Sequence, residues 1–201
     1  LVDPDGRQLK VVRIAKASEA LTQPPGVVPV LQVASLEANL PWGQIDARAG
    51  RFAGECVMWA TQAALQKQIA ALVTAPLHKE ALSAAGAPYD AFPGHTELLQ
   101  SEAARHQGVP LAQMPVRMLL ANDELRTVLV SIHVSMRQAL DAVTYNNVLE
   151  SLRITHQSLS LVLGRPPKIG VAGLNPHAGE GGLFGREEIE IIEPAMQLSL
   201  I

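Results

Sequence analysis

The chain has 201 residues, 48% hydrophobic and 17% charged, enough to bury a core and too apolar for disorder, so it fits a large α/β domain or part of a two-domain protein. Its 16 Lys and Arg against 19 Asp and Glu leave a net charge of −3, which gives no clustered basic surface for nucleic acid or an anionic membrane. The single Cys56 excludes an internal disulfide framework and a four-cysteine zinc site, and no apolar run approaches the roughly 18 residues of a bilayer span, so a cytoplasmic protein is expected.

Apolar runs predict strands over residues 9–14 and 27–33, separated by the turn Gln23-Pro24-Pro25-Gly26. A polar loop over 43–51 precedes a helix over 53–68, with Val57, Ala60, Ala64 and Leu65 on one stripe. Residues 69–74 read as a strand buried on both faces. A short helix over 79–85 ends at Gly86, and after a proline-containing loop Thr96 is placed as the N-cap of a helix reaching Gln107.

Residues 116–120 and 127–132 read as the next strands, joined through Asn122-Asp123 either as a hairpin or as a crossover pair. Ser135 caps a helix over 136–143, and Thr144 caps a longer one running to Leu163, stopped by Gly164-Arg165-Pro166-Pro167. Residues 168–172 read as a short buried strand, followed by a glycine-rich loop and by Gly185-Arg186-Glu187-Glu188, which opens an amphipathic helix with two carboxylates in its first turn. Alternating strands and helices predict an α/β fold with a largely parallel sheet. The chain opens on Leu1 rather than methionine and closes on an apolar segment without a stop signal, which reads as a piece of something longer.

Four of the six histidines stand where loops leave or approach strands: His78, His95, His133 and His177. His106 and His156 fall on helix faces and read as solvated surface residues. His177 lies in the loop following a strand-like run, the end of an open sheet at which ligands bind. His133 and His177 come from different strand ends, and spacing alone leaves two readings open, a shared divalent metal or separate hydrogen-bonded histidines. His95-Thr96 at a helix start suits a polar or anionic small molecule, with simple capping as the alternative. Lys79 is a point charge for a phosphate or carboxylate or else a solvated lysine, and Asn175 and Glu180 flank His177 as candidate supporting partners. The glycines at 179, 181, 182 and 185 lack dinucleotide-fingerprint spacing, no nucleophile elbow or P-loop occurs, and Cys56 on a helix stripe reads as a small core residue.

Four ordered motifs nonetheless carry a resemblance. Thr74-Ala75-Pro76-Leu77-His78-Lys79, Gly94-His95-Thr96-Glu97, Ile132-His133 with Arg137 and Asp141-Ala142-Val143-Thr144, and Gly173 to Gly182 with Gly185 and Glu187-Glu188-Ile189 resemble the 4-hydroxythreonine-4-phosphate dehydrogenase family of vitamin B6 biosynthesis. The resemblance is weakest over the first 50 residues. It implies an isocitrate/isopropylmalate dehydrogenase-like α/β/α architecture, of which this chain would be the central portion of a two-domain enzyme, and a homodimer with shared active sites. It implies His133 and His177 as two of three histidine ligands to a divalent metal (zinc, magnesium or cobalt), His95 and Thr96 as substrate contacts, and NAD or NADP as cofactor, bound mostly by residues this chain lacks. The implied reaction is oxidation of 4-phosphohydroxy-L-threonine followed by decarboxylation, toward pyridoxal 5'-phosphate; the fragment alone is expected to be inactive. Ala75 in place of the usual glycine, and Pro93 before Gly94, leave room for a paralogue acting on a phosphorylated sugar acid or an aromatic cis-dihydrodiol carboxylate. A metal-dependent hydrolase or lyase without a nicotinamide is the alternative of another class.

Overall fold

The computed structural model describes residues 10–36 and 40–199, which divide into two compact units, the boundary falling between Pro115 and Val116. The first unit contains strands β1 (Lys10–Ile14) and β2 (Val27–Leu31) and helices α1 (Ala47–Leu65), α2 (Lys79–Ala84) and α3 (His95–Gln107). The second contains strands β3 (Leu119–Ala121) and β4 (Arg126–Val128), helices α4 (Met136–Asp141), α5 (Tyr145–Leu163) and α6 (Glu193–Ser199), and a π-helical turn over Glu188–Ile192.

In the first unit β1 and β2 pair in parallel, Lys10 opposite Val27 and Ile14 opposite Leu31, which agrees with the two strands expected there; Leu9 lies outside the described residues. The connection returns through a 3₁₀ turn at Ala17–Thr22 rather than a full helix. α1 starts six residues before its predicted start, inside the expected loop, because Asp46 accepts from the Arg48 backbone N–H at 2.8 Å and binds the Arg48 guanidinium at 3.0 and 2.7 Å. Its buried stripe includes Gly50, Gly54, Val57 and Thr61, and the two glycines let another segment come close. A Cβ on Gly50 would stand 1.8 Å from the Ala81 carbonyl oxygen, and one on Gly54 would stand 2.5 Å from the Tyr89 ring. Leu82, fully buried, and Tyr89 form the core beside them with Met58 and Leu77.

α3 is held on α1 by Glu102, which is buried, pairs with Arg105 and accepts from Gln62 at 3.2 Å. It closes at Gly108, whose φ of 67° is the left-handed conformation that suits a glycine after a helix. The segment over 69–74 does not form the doubly buried strand its composition predicts: it has no regular structure, and Val73 is 94% exposed. β1 and β2 pair only with each other, so among the described residues no neighbour offers this run a ladder, and apolar composition without one does not make a strand.

In the second unit β3 and β4 form a hairpin and not a crossover pair, on strands shorter than the expected 116–120 and 127–132, with Leu120 opposite Thr127, and Asn122 Oδ1 closes the turn by accepting from the N–H groups of Glu124 and Leu125 at 2.9 and 2.7 Å. Ser135 and Gln138 form a reciprocal capping box on α4, and Thr144 caps α5, both as expected. Gly164, at φ 66°, ends α5. The core packs Val148, Leu149 and Leu152 of α5 against Ala195 of α6, with Val171, Ile191 and Met196 around them. Arg117 ties the approach to the hairpin onto α5 through Ser151, Asn147 and Glu150 at 2.8, 2.9 and 2.6 Å.

Residues 168–172, read as a buried strand, have no regular structure and are largely exposed. They border an open groove of about 710 Å³ lined also by β4 and α5, and among the described residues no strand pairs with them. The α/β class stands, while the extended parallel sheet reduces within the described residues to one parallel and one antiparallel pair.

Candidate functional site

His95 and Thr96 fall in the first unit, His133 and His177 in the second. In the first unit the N-cap of α3 is Gly94, with extended backbone at φ 178°, so Thr96 sits inside the first turn and is not the expected cap. Its hydroxyl is therefore not committed to capping. Gly94 is buried, and the position its Cβ would take lies 3.6 Å from both Lys79 Cε and Glu97 Oε2. The motifs around Lys79 and His95 thus converge, and a Cβ at position 94 would meet both groups at ordinary contact distance. His78 caps α2 through Nδ1, 3.4 Å from the Ala81 N–H, which gives it a structural role at the start of the helix that carries Lys79.

Cys56 is half-buried on α1, and burial, with the nearby Glu55 charge second, pushes its thiol pKa up. That is an inert thiol, in keeping with a packing role. His106 and His156 are exposed, as expected of surface residues.

In the second unit His133 and His177 are both exposed and both left-handed, at φ 55° and 52°. Of the five non-glycine residues with positive φ among those described, four are His133, His177, Ala178 and Glu180, so this unusual backbone gathers in the two histidine loops. Residues 177 to 181 run continuously left-handed, and each non-glycine residue there costs on the order of 1–2 kcal/mol. A conformation of that cost persists only where surrounding structure holds it.

A carboxylate binds the two residues that lead into this run. Glu188, 4% exposed, accepts the Leu174 and Asn175 backbone N–H groups on Oε1 at 2.7 Å each, and the Asn175 side-chain amide on Oε2 at 2.9 Å. The same amide reaches Glu187 Oε2 at 2.7 Å. The Asn175 backbone N–H first, then its side-chain amide, hold the Glu188 carboxyl at about 2 against the opposing effect of burial. Glu187 is also lowered, first by the Asn175 side chain, with the adjacent Glu188 charge working the other way.

Gly185 is required beside this cluster, since a Cβ there would stand 2.6 Å from Glu187 Oε2 at a φ of 144°. The expected first-turn carboxylates are therefore loop anchors, and Glu188 begins a π-helical turn. Glu188 was missed as a site residue; the adjacent acids after Gly185 were a visible signal, but one that also fits a helix start. Of the flanking residues, Asn175 does the supporting work and Glu180 is exposed.

Neither the His133 nor the His177 imidazole makes a hydrogen bond among the described residues, and the His177 ring lies 6.2 Å from that of Phe184, tilted by 43°. Two unengaged imidazoles are a donor set suited to zinc or cobalt. No group of three or more His, Cys, Asp or Glu among the described residues could hold a metal ion.

The comparisons with known proteins agree with the motifs. Residues 3–199 match the family described as pyridoxal phosphate biosynthetic protein PdxA. The chain is 43% identical over 192 residues to the 4-hydroxythreonine-4-phosphate dehydrogenase of Beijerinckia indica, covering 95% of this chain and 53% of that protein. It is 38% identical over 200 residues to the D-threonate 4-phosphate dehydrogenase of Salmonella typhimurium, covering 97% and 55%. The crystal structure of 4-hydroxythreonine-4-phosphate dehydrogenase from Klebsiella pneumoniae superposes with a TM-score of 0.80 at 37% identity, over 94% of this chain and 54% of that one. The chain spans about half the length of the curated relatives it matches. On the matched span, the ordered motifs and the shared fold, the chain belongs to the PdxA family of pyridoxal phosphate biosynthetic proteins.

Proposed function

We propose that the intact protein is a metal-dependent, NAD(P)-linked dehydrogenase that oxidises 4-phosphohydroxy-L-threonine and releases CO2 from the resulting β-keto acid, as a homodimer with shared sites. The observation that carries the reading is the pairing of family membership with two exposed, unengaged imidazoles at His133 and His177, both on left-handed backbone. These two would hold the metal, and one further ligand would complete a three-ligand site with open positions. When bound, the metal supplies Lewis acidity toward the substrate hydroxyl and the developing enolate, and the nicotinamide accepts hydride.

The chain's own residues orient the reactants. His95 and Thr96 would contact substrate at the start of α3, where backbone N–H groups lack helical partners. Lys79, on the border of the same space as Gly94, offers a charge to the phosphate or carboxylate. The left-handed loops would present the two imidazoles away from their own backbone amides.

A second reading has its own support: the similarity to the Salmonella D-threonate 4-phosphate dehydrogenase extends over 97% of the chain. It keeps the metal and the redox step and changes the substrate to a phosphorylated sugar acid. The test is NAD(P)H production by the intact protein with Mg2+, Zn2+ or Co2+ on 4-phosphohydroxy-L-threonine, D-threonate 4-phosphate and an aromatic cis-dihydrodiol carboxylate. Turnover of the first alone establishes the leading reading, turnover of either other alone moves the protein to a paralogue, and silence on all three refutes the dehydrogenase assignment. Metal bound without any NAD(P)+ reduction would favour a hydrolase or lyase. His133→Ala and His177→Ala should each remove both metal and turnover.

A further inference from the structure

Glu188 is buried, charged and distant in sequence from the groups it binds, and the reaction has no step that calls for it. We propose that Glu188 is a positioning residue that fixes the His177 loop in its metal-competent conformation. The proposal rests on the reading of His177 as a metal ligand.

The geometry supports this through a short covalent path. Glu188 Oε1 holds the N–H groups of Leu174 and Asn175 at 2.7 Å, and only Pro176 separates Asn175 from His177. The proline ring fixes φ, so orientation imposed at Asn175 passes to His177 with little freedom lost on the way. From the other direction, Glu188 is rooted in the core: the π-helical turn it begins contains the buried Ile192 and leads into α6, where Ala195 is fully buried against α5.

A carboxylate is specifically suited. It presents two acceptor oxygens to three N–H donors and carries no donor of its own, whereas glutamine would turn an NH2 group toward the Asn175 amide nitrogen. The loop lies close to the carboxylate, since a Cβ on Gly179 would stand 3.0 Å from Oε2. Left-handed backbone over 177 to 181 needs such an anchor at its base.

The test is Co2+ binding to the intact protein by calorimetry, with the cobalt absorption band as a second readout, for wild type, His177→Ala, Glu188→Gln and Asn175→Ala. The expected pattern is loss of binding in His177→Ala and a roughly 10–100-fold weaker Kd in Glu188→Gln, as for other groups that orient metal ligands. Saturating Co2+ should restore the band and the turnover of Glu188→Gln, which a merely misfolded variant would not show. If Glu188→Gln does not fold, Asn175→Ala, which keeps both backbone contacts, decides the matter, with roughly tenfold weaker binding expected. Wild-type affinity in the folded Glu188 variant, or in Asn175→Ala where that variant must stand in, together with loss in His177→Ala, overturns the positioning role and leaves the ligand assignment intact. Wild-type affinity in His177→Ala overturns the ligand assignment and the proposal with it.

Discussion

Replacing Gly50 with alanine should be far more damaging than one methyl group suggests. The new Cβ would stand 1.8 Å from the Ala81 carbonyl oxygen and 2.8 Å from the Leu82 nitrogen, both backbone atoms that no rotamer change can move. Ordinary contact needs about 3.5 Å, so α1 and α2 must separate by roughly 1.5–2 Å. A gap half that size already forfeits a quarter to a half of the dispersion energy of the atoms lining it. Leu82 and Tyr89, at 0% and 5% exposed, line this contact. Overpacking usually costs about 1–3 kcal/mol, and an obstacle made of backbone puts this case at about 3 kcal/mol or above.

Trp59 lies on α1, while Trp42 is 87% exposed, so tryptophan fluorescence during urea unfolding reports mainly on this packing. With urea slopes of about 1–3 kcal/mol per molar, the midpoint should fall by about 1–3 M. Gly108→Ala is the control, because its Cβ would meet nothing within 4 Å and incurs only left-handed strain at φ 67°. A Gly50→Ala midpoint within about 0.3 M of wild type would refute the close-approach reasoning.

Glu188 gives a pH prediction. Its folded pKa, about 2, lies below the ordinary value of 4.5, so the stability it contributes is complete above 4.5 and is lost as pH falls through 2. The amide proton shifts of Leu174 and Asn175 should titrate near the lower value, and a midpoint at the ordinary value would show that the carboxylate does not hold them. Cys56 should alkylate at pH 8 more slowly in the folded protein than in urea, because its thiol is harder to ionise; equal rates would contradict its burial. Ser135→Ala removes one half of the α4 capping box and should cost about 1 kcal/mol, read as roughly fivefold faster hydrogen exchange confined to α4. Exchange that accelerates equally in α5 would mean that the cap supports more than its own helix.

The features legible in the sequence were those decided within a few residues. Ser135 and Thr144 bind amides three positions ahead, and Gly86 and Gly164 end helices through their own backbone, so local pattern was enough. Strands depend on a partner elsewhere. Residues 69–74 and 168–172 have the composition of buried strands, yet neither finds a ladder within the described residues. The same limit applied at the site. The histidines were visible because each stands in a short motif, whereas the Glu188 clamp closes across 13 and 14 residues and its two acids fit a helix start equally well. The cap of α3 falls at Gly94, two positions before Thr96, although a threonine is the commoner cap.

The two units position their chemistry by different physical means, and this determines how each should fail. In the first, glycines at 50 and 54 admit the backbone of α2 and the Tyr89 ring, which sets where Lys79 meets the start of α3. Steric contact of that kind is insensitive to pH and salt, and damage to it shifts whole elements, so its functional mark should be a raised KM together with lost stability. In the second, a charged clamp holds a strained loop through three short hydrogen bonds while the packed core of α5 and α6 stands behind it. Weakening that clamp releases a loop rather than a core. Its mark should be weaker metal binding at nearly unchanged global stability, because the left-handed strain relieved at His177, Ala178 and Glu180 partly offsets the bonds lost.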